Sequence, residues 1–315
     1  MRAICLMGPT ASGKTDLAIA LSAEFPVENI SVDSAQIYRG MNIGAAKPPP
    51  DILARFPHHL IDIRDPQQGY SAGEFCRDVV PLMRGASERG HIPLLVGGTM
   101  LYFQALQRGL AELPEADEGL REQLDARAAA EGWPALHADL QRLDPVTAAR
   151  LQPTDAQRIQ RALEVCLLTG EPMAEQLEAT SPPVQARYLN VGLLPGDRKV
   201  LHERIAARLD RMLADGFVEE VRQLLSLPGV GPDSPAMRAV GYRQIARYVQ
   251  GELSLEEARE KAVIATRRLA KRQMTWLRSW PDLQVFEPDS DNCARELRNL
   301  LKVWLESDAS AQTRG

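Results

Sequence analysis

Short runs of mostly apolar residues recur along the chain, at Ala3 to Met7, Asn29 to Asp33, Leu60 to Ile63, Ile92 to Val96 and Leu189 to Leu194. Runs of this length bounded by turn residues read as strands. Between them lie stretches with apolar positions three and four apart, such as Ala72 to Arg89, which read as helices. The alternation predicts an α/β fold, a parallel sheet of P-loop type with helices on both faces. Between about Glu115 and Pro183 the strand-like runs stop. Leu120 to Trp133, Pro134 to Leu143 and Ala156 to Gly170 carry helical periodicity, broken at Asp-Pro, Gln-Pro and Gly-Glu-Pro, so this stretch reads as an all-helical insertion. A strand resumes at Tyr188, followed by helices over Arg198 to Leu227, Met237 to Gln250 and Ser254 to Trp280. The expected organisation is a core over residues 1–114, a helical insertion over 115–185, the core continued over 186–305, and a disordered tail over 306–315.

A chain of 315 residues with 44% hydrophobic content can bury a full core. Its net charge of −5 gives no global sign of a nucleic-acid binder, so such a role has to rest on a local basic patch. Cys5, Cys76, Cys166 and Cys293 are far apart and form no CxxC pair or Cys/His set, which argues against disulfides and zinc and fits a reducing cytoplasm. The run Ala3 to Met7 is too short for a signal or membrane segment, so no membrane partner is expected, and a monomer is.

The strongest chemical signal is GPTASGKT, running from Gly8 through Pro9, Thr10, Ala11, Ser12, Gly13 and Lys14 to Thr15, between the first strand and an apolar helix. Glycines let the backbone wrap phosphate oxygens, amides at the helix start face the anion, Lys14 adds a charge, and the Thr15 hydroxyl can ligate Mg2+. Asp33 ends the next strand, where open parallel sheets place their ligands, and could accept a proton from a nucleophile or simply cap a helix. The run IPLLVGGTMLY ends its strand in Gly97 and Gly98, where many P-loop ATPases carry an acidic residue. Thr99 offers a hydroxyl to the crevice, or a helix N-cap.

Arg204 and Arg208 lie four residues apart, on one helical face, where they could close over a diphosphate or join surface salt bridges. From Ala258 to Arg278 the chain carries Lys261, Arg267, Arg268, Lys271, Arg272 and Arg278, with Ala262, Ala265, Leu269, Trp276 and Leu277 as the apolar positions. So basic a helix on an acidic protein favours a polyanion partner. Arg158 and Arg161 could reach the same polyanion. His58 and His59 lack the spacing of a helical metal pair and read as packing or hydrogen-bonding residues.

Taken in order, GPTASGKT, VDSAQIY, MNIGAAKP, PHHLIDI, PLLVGGTMLY, DAQRIQRALEV, RAVGYRQ and KRQMTWLR resemble the bacterial tRNA dimethylallyltransferase family over nearly the whole chain. Ala45 stands where members commonly have threonine, and the zinc finger of eukaryotic members is absent. The resemblance implies transfer of a dimethylallyl group from dimethylallyl diphosphate to the exocyclic amine of adenosine at tRNA position 37, with release of diphosphate. It implies Asp33 as the base, Thr99 as an orienting group, and Lys14, Thr15 and Mg2+ at the departing diphosphate. It further implies contacts to the tRNA anticodon stem-loop at Asp33, Ser34, Ala35, Gln36, Thr99, Arg121, Gln157, Arg158, Ile159, Gln160, Arg161, Arg238, Ala239, Val240, Gly241, Tyr242 and Arg243, with the insertion gripping the stem-loop. The residues alone leave three other readings open: a nucleotide or small-molecule kinase, prenylation of free AMP or ADP, and a nucleotide-switched RNA-binding protein without catalysis.

Overall fold

The computed structural model describes residues 1–111, 113–176 and 180–307. Six parallel strands, β1 (Arg2–Met7), β2 (Val27–Val32), β3 (His58–His59), β4 (Ile92–Gly97), β5 (Arg187–Leu193) and β6 (Gln284–Phe286), form one sheet in the order β3-β2-β4-β1-β5-β6. The central strands are buried from end to end, as a sheet covered on both faces requires. The helices are α1 (Lys14–Ser22), α2 (Pro50–Arg55), α3 (Ala72–Glu88), α4 (Met100–Arg108), α5 (Glu118–Glu131), α6 (Trp133–Leu143), α7 (Pro145–Ala148), α8 (Ala156–Thr169), α9 (Met173–Gln176), α10 (Arg198–Ala214), α11 (Phe217–Leu225), α12 (Tyr242–Val249), α13 (Leu255–Arg278) and α14 (Cys293–Glu306), with a 3-10 turn at Pro235–Arg238.

The chain divides into two compact units, Met1–Gln104 with Val184–Gly315, and Ala105–Pro183. The first holds the sheet and, among its buried residues, the following two clusters. Ile4, Leu6, Leu94, Val96 and Val191 pack with Ala18 and Leu21 of α1 and Leu297, Leu301 and Trp304 of α14. Leu201, Ile205, Val221, Tyr242, Ile245, Ala262 and Met274 bring α10 to α13 together with the segment around Ile37 and Met41. The second unit is all helical, around Leu124, Leu136, Leu140, Ile159 and Leu163. The division falls inside the continuous helix α4, about ten residues before the Glu115 that composition suggested, because an unbroken helix leaves no linker to read.

Several expected elements differ. Leu60 to Ile63 is not a strand: His58 and His59 pair with β2, and Leu60 and Asp62 then take positive φ, turning the chain away. The helix expected over Arg198 to Leu227 breaks at Gly216 (φ 100°), and that over Met237 to Gln250 is a 3-10 turn followed by α12 from Gly241 (φ 93°). On α13 the buried stripe is Ala258, Ala262, Val263, Ala270, Gln273, Met274 and Leu277, whereas Trp276 is exposed. Strand β6 is three residues at a sheet edge, too short to carry a period. Glu306 closes α14, and residues 308–315 of the expected tail lie outside the described residues.

Candidate active site

Three strand ends stand side by side. Met7 pairs with Gly97, and Val32 pairs with Gly97 from the other side, so the residues that follow, Gly8, Asp33 and Gly98, emerge together at the carboxyl edge of the sheet. A Cβ at Gly97 would lie 2.0 Å from the Val32 carbonyl oxygen, which explains glycine where other P-loop proteins carry a carboxylate. These ends open onto a cavity of about 160 Å³ lined by Thr10, Ala11, Lys14, Thr15, Asp33, Gln36, Gly98, Arg208 and Gln273, among others.

The loop from Gly8 to Thr15 is wound as its composition predicts. Gly13 caps α1 in the left-handed conformation (φ 80°), and Ala11 also has positive φ (63°). That winding points successive amides toward one side and makes an anion nest. A Cβ at Gly8 would sit 2.7 Å from Ser12 Oγ. Ser12 Oγ is buried without a hydrogen-bond partner among the described residues, a donor left over for a ligand oxygen. The Lys14 ammonium donates to the Pro9 carbonyl at 2.7 Å. Desolvation, opposed by the Asp33 carboxylate and reinforced by the Arg208 guanidinium, brings its pKa down to about 8. Arg208 is shifted down too, by burial first, with Asp33 raising it. A carboxylate and two cations thus share one enclosed volume.

Asp33 Oδ1 accepts from the Ala35 amide at 2.8 Å, which fixes the carboxylate at the start of the turn it caps. No helix follows Asp33, so the helix-capping reading falls away: the carboxylate closes a turn and lines the crevice. Thr99 Oγ1 accepts from the Ser34 amide at 3.0 Å and lies 3.4 Å from Ser34 Oγ, so it ties the end of β4 to the Asp33 turn. Gln36 takes a hydrogen bond from Ser31 on Oε1 and reaches the carbonyls of Ala45 and Ala46 through Nε2.

Two buried groups without any signal in the sequence fix the cavity: Glu220 from behind its wall and Gln273 within it. Glu220 accepts from the amides of Asn42, Ile43 and Gly44 at 2.7 to 3.0 Å, and Tyr242 Oη accepts from the Ala45 amide at 3.0 Å, so the Met41 to Pro48 loop is held from beneath. Gln273 of α13 accepts from the Thr10 amide and donates to the Gly98 carbonyl, both at 2.9 Å. A lone acid or amide among many helical polar residues does not stand out; KRQMTWLR marked the segment, not the residue.

The family model described as IPP transferase matches residues 36–280. A tRNA dimethylallyltransferase of Thiobacillus denitrificans is 57% identical over 303 residues, covering 96% of this chain and 97% of that protein. One from Nitrosomonas europaea is 53% identical over 302 residues, covering 96% and 95%. The chain belongs to the tRNA dimethylallyltransferase, or IPP transferase, family. The solved tRNA isopentenylpyrophosphate transferase of Bacillus halodurans is 35% identical, covers 99% of both chains and superposes with a TM-score of 0.69.

The structure sorts the remaining residues expected to act in an IPP transferase. Arg208 lines the cavity, but Arg204 does not: its guanidinium lies 2.5 Å from Asp289, because one helical turn separates the two arginines along α10. In the helical unit, Arg121 and Arg161 both bind Glu164, which is fully buried and accepts from the Asp117 amide as well. One carboxylate balances only one of the two guanidinium charges, and both guanidiniums stay part-exposed. Arg161 also donates to the Pro114 carbonyl, and Gln160 to Asp125, leaving Gln157 and Arg158 as the outward residues of that stretch, with Arg158 3.5 Å from Asp155. The side chains of Ile159 and Tyr242 are fully buried and reach no surface: Ile159 packs in the helical core, and Tyr242 serves through its hydrogen bonds to Ala45 and Glu220. Arg238, Arg243, Lys271 and Arg272 are exposed, Ala239 and Val240 half-buried, and Gly241 buried. His58 is a strand residue whose Nδ1 lies 2.7 Å from the Phe56 carbonyl, and it also lines the cavity.

Proposed function

We propose that this protein transfers the dimethylallyl group of dimethylallyl diphosphate to the exocyclic amine of adenosine at position 37 of tRNA and releases diphosphate. The observation that carries the reading is the enclosed meeting of a phosphate loop with Asp33, Lys14 and Arg208 at three adjacent strand ends, without a carboxylate at the end of β4. In the reaction the allylic carbon–oxygen bond breaks as the nitrogen–carbon bond forms, and the amine loses one proton. Negative charge grows on the diphosphate, where the loop amides, Lys14 and Arg208 stabilise it. The Asp33 carboxylate accepts the amine proton. Thr99, bonded to the Asp33 turn, orients that acceptor.

Mg2+ suits this site. Thr15 and Asp33 both line the cavity, one offering a hydroxyl and the other a carboxylate, and Mg2+ takes few protein ligands and completes its octahedron with phosphate oxygens and water. Among the described residues no group of three His, Cys, Asp or Glu forms a cage of its own, so the diphosphate would bring the ion with it. When bound, the ion neutralises the leaving group.

For adenine to reach Asp33 the base has to leave its stack, at a cost of a few kcal/mol. Phosphate contacts from Lys271, Arg272 and the neighbouring exposed cations of α13 offset this cost. The helical unit, through Gln157 and Arg158, takes the anticodon stem-loop. No helix among the described residues is long and apolar enough to cross a membrane. Incubation with labelled dimethylallyl diphosphate and either tRNA or free AMP, followed by mass analysis of the nucleosides, tests the proposal: label in tRNA alone is expected, and label confined to free nucleotide would overturn it.

A further inference from the structure

The Pro9–Thr10 peptide unit carries two hydrogen bonds on opposite edges. Its carbonyl oxygen accepts from the Lys14 ammonium at 2.7 Å, and its N–H donates to Gln273 Oε1 at 2.9 Å. No cis bond occurs among the described residues, so the C=O and N–H of this planar unit point in opposite directions and turn together. Gln273 is itself fixed: it is buried, sits within the 24-residue helix α13, and its Nε2 donates to the Gly98 carbonyl at 2.9 Å.

We propose that Gln273 is a positioning residue for Lys14, acting through the single peptide plane between Pro9 and Thr10. The carboxamide has an acceptor for one strand end and a donor for the other, so it clamps the loop after β1 against the end of β4 and thereby sets where the Pro9 carbonyl points. That carbonyl holds the ammonium in the cavity before any anion arrives, within the field of Asp33 and Arg208. Donation from the peptide N–H also polarises its carbonyl and strengthens the bond to Lys14. Without Gln273 the part-buried Thr10 amide would lose its partner, and the plane would be free to rotate toward water, taking the Lys14 anchor with it. Gly98 belongs to the same device: a Cβ there would stand 2.3 Å from Gln273 Nε2.

The inference rests on the loop being a diphosphate site, and inorganic pyrophosphate with Mg2+ tests it without tRNA or turnover. By calorimetry on the full chain, Gln273→Met should weaken pyrophosphate binding about tenfold, the scale of one hydrogen bond removed from a charged system. Gly98→Ala, which displaces the carboxamide by another route, should weaken it in the same direction. The discriminating measurement is a double-mutant cycle. If Gln273 acts through Lys14, Gln273→Met added to Lys14→Met should weaken binding by less than about twofold further, whereas a merely structural role would make the two effects multiply. Unchanged affinity in both Gln273→Met and Gly98→Ala, or full multiplicativity in the cycle, overturns the proposal. Absence of pyrophosphate binding by the wild-type chain overturns it together with the loop reading, while failure of prenyl transfer with pyrophosphate binding and the cycle intact would reject only the proposed function.

Discussion

The Tyr242 hydroxyl donates a 2.6 Å hydrogen bond to the Glu220 carboxylate, and between them the two side chains hold four consecutive amides, from Asn42 to Ala45. A buried anion is tolerated here because four donors converge on it. Burial, followed by the neighbouring carboxylate, pushes the tyrosine pKa far up, so the phenol remains a donor at every working pH.

Removing the tyrosine hydroxyl should therefore harm stability more than a surface change. Tyr242→Phe leaves the Ala45 amide without its acceptor and takes one donor from Glu220, with an expected loss of about 2 kcal/mol in urea denaturation. Glu220→Ala strands three amides and the phenol, and should cost more, about 3 kcal/mol or above. A Glu220→Ala chain as stable as wild type would mean that the carboxylate does not hold this loop.

Asp33→Asn keeps the acceptor for the Ala35 amide while losing basicity. Prenyl transfer to tRNA should fall at least about 100-fold, the lower range for a general base, with pyrophosphate affinity changed by less than the loss in turnover. Near-normal single-turnover rates in this variant would remove Asp33 from proton transfer.

Desolvation brings the Lys14 pKa down to about 8. Its charge is present below that pH and lost above it, so pyrophosphate affinity should decline as pH rises through about 8. Lys14→Met should flatten that decline, and an identical profile in the variant would assign the titration to another group.

Lys271 and Arg272 are exposed on α13, immediately before the buried Gln273. Replacing both with alanine should weaken tRNA binding and lower the slope of log affinity against log salt by about 1 for each phosphate no longer neutralised. Pyrophosphate affinity should stay unchanged. A salt slope equal to that of wild type would assign the outer face of this helix to solvation.

The four core strands were legible as short apolar runs bounded by turn residues, the long helices by their period, and the phosphate loop because its glycines are demanded by backbone geometry within a short segment. The family, too, is a property of ordered segments along the chain. Tertiary structure alone decided which charges are free. Arg121 and Arg161, far apart in sequence, converge on Glu164, and Arg204 pairs with Asp289 while Arg208, one turn on, faces the cavity. Glu220 and Gln273 were illegible for the same reason: their partners lie 176 to 178 and 263 residues away, and a hydrogen bond between distant segments leaves no spacing to read. Local sequence sets the loop that can hold a diphosphate; the packing of α10, α11 and α13 with one another and with the segment around Ile37 and Met41 sets what points into it.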